Sequence, residues 1–345
     1  VKDFFKQLIV EHGPLPIDRY MALCLGHPKF GYYMTRDPFG AAGDFTTSPE
    51  ISQIFGELLG VWCVAAWEAI GQPEPFALVE LGPGRGTLMA DILRTTSGMA
   101  EFRAAAQVHL VEMSPVLQAL QREKLGDSVT WHSSIDSLPE QPMIFVANEF
   151  FDALPVRQLV KRAGAWTERH VVVEQGELAL GEVPTPGLPA KADGLYEVSP
   201  ISFAIAQELG ARLAALGGAG LIIDYGHLKS AAGDTLQVLK AHQPCGVLEH
   251  PGTSDLTAHV DFEALAQGFV VGGADALPPI TQGKFLKAMG HDMRVQKLSQ
   301  KLQGKALQEF VAGAARLVED GQMGQLFKVL SVAQLGHGPI YPFEV

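Results

Sequence analysis

At 345 residues the chain is too long for one minimal domain and suits one large α/β domain with additions, or two modest ones. Its 47% hydrophobic and 19% charged residues are those of a folded globular protein, and a net charge of −12 argues against a general binder of nucleic-acid backbones. Three distant cysteines (Cys24, Cys63 and Cys245) suggest neither a disulfide framework nor a zinc site, which fits a reducing compartment.

No apolar run reaches the roughly 18 residues that a membrane span needs. The first residues carry neither a signal nor a transit pattern, although a chain that begins at Val1 leaves room for a processed leader. The acidic balance suits a cationic acceptor as well as plain solubility.

In chain order, the first third holds two helix candidates around a loop of turn formers, Asp37 to Thr47. Ser48 reads as an N-cap, Pro49 as the first helical position and Glu50 as a first-turn acid. Ile51, Ile54, Phe55, Leu58, Leu59, Trp62 and Ala65 recur at helical spacing, so one continuous helix is expected, stopping at Gly71. From Phe76 strands and helices alternate. Strands are expected at 77–81, 107–112, 128–132 and 143–148, which predicts a doubly wound, mostly parallel α/β sheet.

Residues 156–181 read as a β-hairpin around Ala163-Gly164-Ala165, and a Pro/Gly-rich stretch to about residue 195 closes this insertion. A helix at 201–216 and the strand Leu221–Asp224 resume the alternation. A helical addition is expected over about 255–320, then a late strand from Leu326 to Val332. The expected division is an N-terminal helical region, 1–75, and a doubly wound α/β domain, 76–345.

The densest signal is Phe76 to Leu88. An apolar strand carrying Glu80 runs into Gly82, Pro83, Gly84, Arg85, Gly86 and Thr87, with a helix-compatible segment behind. Such a turn brings backbone close to a ligand and aims the first N–H groups of the next helix at it. A dinucleotide fingerprint wants a third glycine where Thr87 stands, and places its ribose acid about 20 residues further on. Here Gly82, Gly84 and Gly86 alternate, and Glu112 ends the next apolar run. This order resembles class I S-adenosylmethionine (SAM)-dependent methyltransferases, in which the glycine turn passes the methionine end of the cofactor and the acid after the second strand holds the ribose hydroxyls.

In open parallel sheets ligands bind outside the carboxyl ends of the strands. Glu112 and Met113 follow the second strand, where Glu112 is either that ribose ligand or an exposed strand-end acid. Ser133 and Ser134 follow the third, near the position of an adenine in this fold, and are equally ordinary loop residues. The fourth strand ends in Asn148-Glu149-Phe150-Phe151-Asp152, whose acids either receive a cationic substrate or cap a loop. Asp224 ends the fifth, as a base or a satisfied strand-end acid. No HExxH, Gly-x-Ser-x-Gly or P-loop lysine is present, so no metal is expected.

Several long motifs together resemble the MidA-type SAM-dependent methyltransferases, relatives of the mitochondrial complex I assembly factor that methylates arginine. They include Pro14 to Met21, His27 to Tyr33, Gly43 to Gln53, Glu80 to Leu88, Asn148 to Pro155, Asp224-Tyr225-Gly226 and Asp255 to Phe262. The resemblance implies a SAM cofactor bound by Glu80, Gly82, Pro83, Gly84, Gly86, Thr87, Glu112, Met113, Ser134 and Asn148. It implies that Asp44, Glu50 and Gln53 face the active site from a lid. A protein arginine is the implied acceptor, in a respiratory-complex subunit, with no nucleic acid involved.

Glu149 and Asp152 are the first choice for the catalytic pair, with Glu50 and Asp44 behind them. The location would be cytoplasmic in a bacterium and the mitochondrial matrix in a eukaryote. The rivals are a catalytically idle assembly factor that binds SAM and an NAD(P)-dependent oxidoreductase.

Overall fold

The run Phe76–Leu81 is buried along its whole length and forms β1, a central strand of a mostly parallel sheet. A strand covered on both faces reads as an unbroken apolar run, and this one is interrupted only by Glu80. The computed structural model describes residues 1–37, 46–188, 192–240 and 243–344. Their contacts gather into two units. The sheet unit holds Thr46–Phe150, Phe203–Leu228 and Phe262–Val345, and the other holds Val1–Phe45, Phe151–Ser202 and Lys229–Asp261.

In the sheet unit β1 is followed by β2 (Ala106–Val111), β3 (Val129–His132), β4 (Met143–Asn148), β5 (Gly218–His227), β6 (Ala274–Ala276) and β7 (Phe327–Gln334). Their spatial order is β6-β7-β5-β4-β1-β2-β3. The pairs β1–β2, β1–β4, β2–β3 and β4–β5 are parallel, whereas β7 runs antiparallel to β5 and β6. The strand order reverses between β1 and β4, which opens a crevice at their carboxyl ends.

Helices cover both faces. Ile144 and Val146 of β4 share a core with Phe55, Leu59 and Trp62, while Phe145 between them stacks on Phe269 of the helix Phe262–Val271, with centroids 6.1 Å apart. The fold is the α/β, doubly wound class expected from the sequence. Helices Gln282–Ala288, His291–Ser299 and Gly304–Val318 supply the later helical stretch. Among the described residues no helix is long and apolar enough to cross a membrane.

The continuous helix expected from Ser48 is broken in two. Helix α1 covers Ser48–Ile51 and α2 covers Gln53–Ala69, with Ser52 extended between them at φ −156° and ψ 131°. The Ser52 hydroxyl accepts a bond from the Ile54 N–H, the local competition by which serine favours a cap over a helix interior. Thr47, not Ser48, is the N-cap of α1. Helix α2, grouped by the sequence with the N-terminal region, packs in the sheet unit, its buried Phe55, Leu59, Trp62 and Cys63 forming one core with Leu78 and Ile144.

In the other unit the expected hairpin is part of a five-stranded antiparallel sheet. Arg157–Arg162 pairs with Ala165–Glu174 through Ala163 at φ 49° and Gly164 at φ 82°, two left-handed residues of the kind a tight hairpin turn requires. Gln175 and Gly176 repeat that turn, at φ 51° and 80°, and lead into Glu177–Pro184. Gly194–Val198 and Leu15–Pro16 complete the sheet.

Candidate active site

At the end of β1 the chain turns through three left-handed glycines, Gly82 at φ 62°, Gly84 at φ 53° and Gly86 at φ 74°. Gly82 N–H donates to Val111 O at 3.0 Å, and Gly86 N–H donates to Pro83 O at 2.7 Å. Gly86 is the N-cap of α3 (Thr87–Thr95). A Cβ on Gly82 would lie 2.8 Å from the Phe150 ring, so glycine is needed there for the approach of an aromatic side chain.

Behind the turn, the fully buried Gln121 of α4 (Pro115–Leu125) ties several groups together. Its amide donates to Gly84 O at 2.7 Å and lies 3.4 Å from Glu112 Oε2, while its carbonyl accepts from Trp131 Nε1 at 2.9 Å. Gln121 is nearly silent in the sequence. Its one signal is an amide on the otherwise apolar face of an amphipathic helix, four residues after Leu117.

Glu112 joins this network, and Glu80 lies close enough to feel its charge. Burial pushes the Glu80 carboxyl up to about 8, against a bond from the Met89 backbone and the nearby Lys124. Its Oε2 is buried with no hydrogen-bond partner among the described residues. Burial likewise raises Glu112 to about 7, offset in part by the Ser114 N–H, which donates to Oε1 at 2.7 Å.

A carboxyl harder to ionise folded than unfolded costs stability as pH rises. Below the ordinary value of 4.5 both states are protonated, and above the folded value the penalty is complete. Between about pH 5 and about 8.5, wild-type melting temperature should therefore fall relative to that of Glu80→Gln. Parallel melting curves over that range would refute the Glu80 assignment.

Met113 is 60% exposed beside Glu112, and Ser134, half-buried after β3, donates to Asp136 Oδ2 at 3.1 Å. At the end of β4, Asn148 is buried and its Oδ1 has no hydrogen-bond partner among the described residues. Glu149 follows at φ 51°, a left-handed conformation that costs a non-glycine residue energy and recurs at functional sites. Its N–H donates to Ile223 O at 2.9 Å, and its Oε1 accepts from Ser48 N–H at 3.0 Å and from Asn148 Nδ2 at 3.1 Å.

Helix α1 is thus held by Glu149 at its first residue. It is also held by Glu50, whose Oε1 accepts from Thr87 Oγ1 at 2.5 Å and whose Oε2 lies 4.0 Å from Arg85 Nη1. Lys124 donates to the same Thr87 hydroxyl at 2.5 Å. Gln53, the first residue of α2, is exposed, and Asp44 lies outside the described residues.

Asp152 belongs to the other unit. It is buried, its backbone carbonyl accepts from Ala258 N–H at 3.0 Å, and Tyr33 donates to the neighbouring Asp255 Oδ1 at 3.0 Å. Burial, then the charges of Asp255 and Asp152, push the Tyr33 phenol well above its ordinary value. Asp224 does not end its strand: β5 continues to His227, so Asp224 is fully buried within the ladder, paired with Lys328, and its Oδ1 accepts from Tyr225 N–H at 2.9 Å. Among the described residues no group of three or more His, Cys, Asp or Glu could hold a metal ion.

Comparison with known proteins matches residues 58–279 to a family described as "Putative S-adenosyl-L-methionine-dependent methyltransferase". The chain is 39% identical over 359 residues to the mitochondrial protein arginine methyltransferase NDUFAF7 of Xenopus tropicalis, spanning 93% of this chain and 82% of that protein. The human protein of the same name is 38% identical over 358 residues, spanning 93% and 80%. A crystal structure of a COG1565 superfamily member from Burkholderia thailandensis, bound to S-adenosyl-homocysteine, superimposes with a TM-score of 0.83 at 29% identity, covering 96% of this chain and 91% of that one.

The residues at the β1, β2 and β4 ends fit that cofactor chemically. Its α-ammonium and ribose hydroxyls are donors, and the buried Asn148 Oδ1 and Glu80 Oε2, neither with a hydrogen-bond partner among the described residues, and the Glu112 carboxylate are acceptors. Sheet order, glycine turn, acceptor set and relatives agree, and the chain belongs to the S-adenosyl-L-methionine-dependent methyltransferases.

Proposed function

We propose that this methyltransferase acts on a protein nitrogen, the guanidinium of arginine. The observation that carries this reading is the 39% identity, over 93% of the chain, to a protein named an arginine methyltransferase. Arginine stays protonated near neutral pH, so the enzyme must orient it and draw charge from the attacking nitrogen. A carboxylate does the first by charge-assisted hydrogen bonds and a second can accept the proton as the methyl moves.

Glu149 and Asp152 are assigned these roles, with Glu50 and Asp44 as the next carboxylates. SAM supplies the electrophilic methyl, and alignment of acceptor and donor would supply much of the rate. A respiratory-complex subunit is the proposed acceptor. Incubation of a native extract with the enzyme and SAM, then mass spectrometry of methylated peptides, tests the reading. Methylation confined to lysine, or to small molecules, would overturn it.

A second reading is an assembly factor that binds SAM without turnover. It is favoured by one observation: the carboxylates of Glu149 and Glu50 already accept bonds within the chain. Intact-mass analysis of a captured partner separates the two.

Within the cofactor pocket, Glu112 is assigned the ribose hydroxyls. Glu112→Ala should weaken SAM by about 1.5–3 kcal/mol, the size of a hydrogen bond to a charged group. A 2′-deoxy analogue, which keeps only the 3′-hydroxyl, should narrow the gap between mutant and wild type. The Ser114 N–H also uses this carboxylate, so melting curves must accompany the calorimetry. A full preference for the 2′-hydroxyl surviving in the mutant would remove the role.

A further inference from the structure

The side chain that reaches the first glycine of the turn from beyond β4 is aromatic. Phe150, two residues beyond the last residue of β4, rests on Gly82, the first residue beyond β1. An added Cβ on Gly82 would meet its ring at 2.8 Å, so the ring occupies the space that any other residue at 82 would fill. The backbone is bent to put it there, since the preceding Glu149 adopts φ 51° while its N–H is held by Ile223 O. Phe150 is only half-buried, although it is a large apolar side chain beside a tightly packed turn.

We propose that Phe150 presents its ring to the sulfonium of SAM and makes the pocket prefer the cationic cofactor to its neutral product. The inference rests on the cofactor reading above and deepens it. The glycine turn and the β4 end flank the crevice where β1 and β4 part, so a cation bound by this turn lies beside the ring that packs on it. The face of an aromatic ring is electronegative and attracts a desolvated cation. Transfer of the methyl converts the sulfonium to a thioether, removing the charge and with it the attraction. A ring here therefore weakens product relative to substrate.

Calorimetry with SAM and with S-adenosyl-homocysteine, in the absence of acceptor, tests this. Phe150→Leu should lose about 2- to 30-fold in SAM affinity, the range of a cation–π contact, and keep its affinity for the product within about twofold. Phe150→Tyr should behave as wild type. If the leucine variant fails to fold, 3,4,5-trifluorophenylalanine at position 150 keeps the shape while depleting the ring face, and should lower SAM affinity alone.

Equal losses for both ligands, or none, would overturn the inference and leave the pocket reading intact. Wild-type protein that binds neither ligand would overturn the pocket reading itself.

Discussion

Gly84→Val is expected to abolish SAM binding in a protein that still folds. Gly84 sits at φ 53°, between two other left-handed glycines, and Gln121 holds its carbonyl at 2.7 Å. A branched side chain there would fill the space of a ligand held by this turn and would strain the turn itself. The left-handed conformation costs an L-residue about 1–2 kcal/mol, which is small beside the roughly 5–15 kcal/mol of a typical domain. The turn should therefore survive in a distorted form, and binding should not. Gly84→Ala provides the graded case, with the same strain and a smaller obstruction. Unchanged SAM affinity in a folded Gly84→Val protein would mean that the glycine turn is not the cofactor site.

The parts of this architecture that were legible are those governed by local pattern. Strands β1 and β4 are largely apolar runs because both faces are covered, and Gly82, Gly84 and Gly86 mark a turn because each needs positive φ. The break at Ser52 is not legible because Ile51, Ile54 and Phe55 keep a helical period across it, while a single hydroxyl decides the local geometry. Strand Glu177–Pro184 was hidden for the opposite reason. None of its residues is fully buried, so it carries little apolar signal, and its entry turn at Gln175-Gly176 lies in a polar stretch.

The least legible features join residues far apart in the chain. Glu149 receives Ser48 N–H from 101 residues away, Glu50 receives Thr87 from 37 away, and Gln121 reaches Gly84 across 37. No local period encodes such contacts. They change how the acids are understood: Glu50 reads from the sequence as a first-turn acid, and its carboxylate accepts from the Thr87 hydroxyl beside the glycine turn.

The remaining prediction concerns chemistry. Glu149→Gln and Asp152→Asn should each keep SAM affinity while lowering methyl transfer by about 10²-fold or more, the scale of a lost acid–base or orienting group. The amide substitutions suit the test because they remove charge and keep shape. At position 149 the new carbonyl oxygen can still accept from Ser48 N–H, as Oε1 does, so α1 should stay anchored and the fold intact. What is lost is the charge that a guanidinium would meet.

At position 152 the backbone carbonyl that accepts from Ala258 N–H is untouched, so that loop contact survives as well. If both acids serve only to hold loops, the variants should melt lower and turn over almost normally per folded molecule. Single-turnover assays with the identified acceptor, run beside melting curves, separate the two outcomes. Normal turnover in both variants would remove Glu149 and Asp152 from the chemistry and make Glu50 and Asp44 the next carboxylates to change. Glu50→Gln would then be expected to act on transfer, and only weakly on folding, because the Thr87 hydroxyl can still donate to the new amide oxygen.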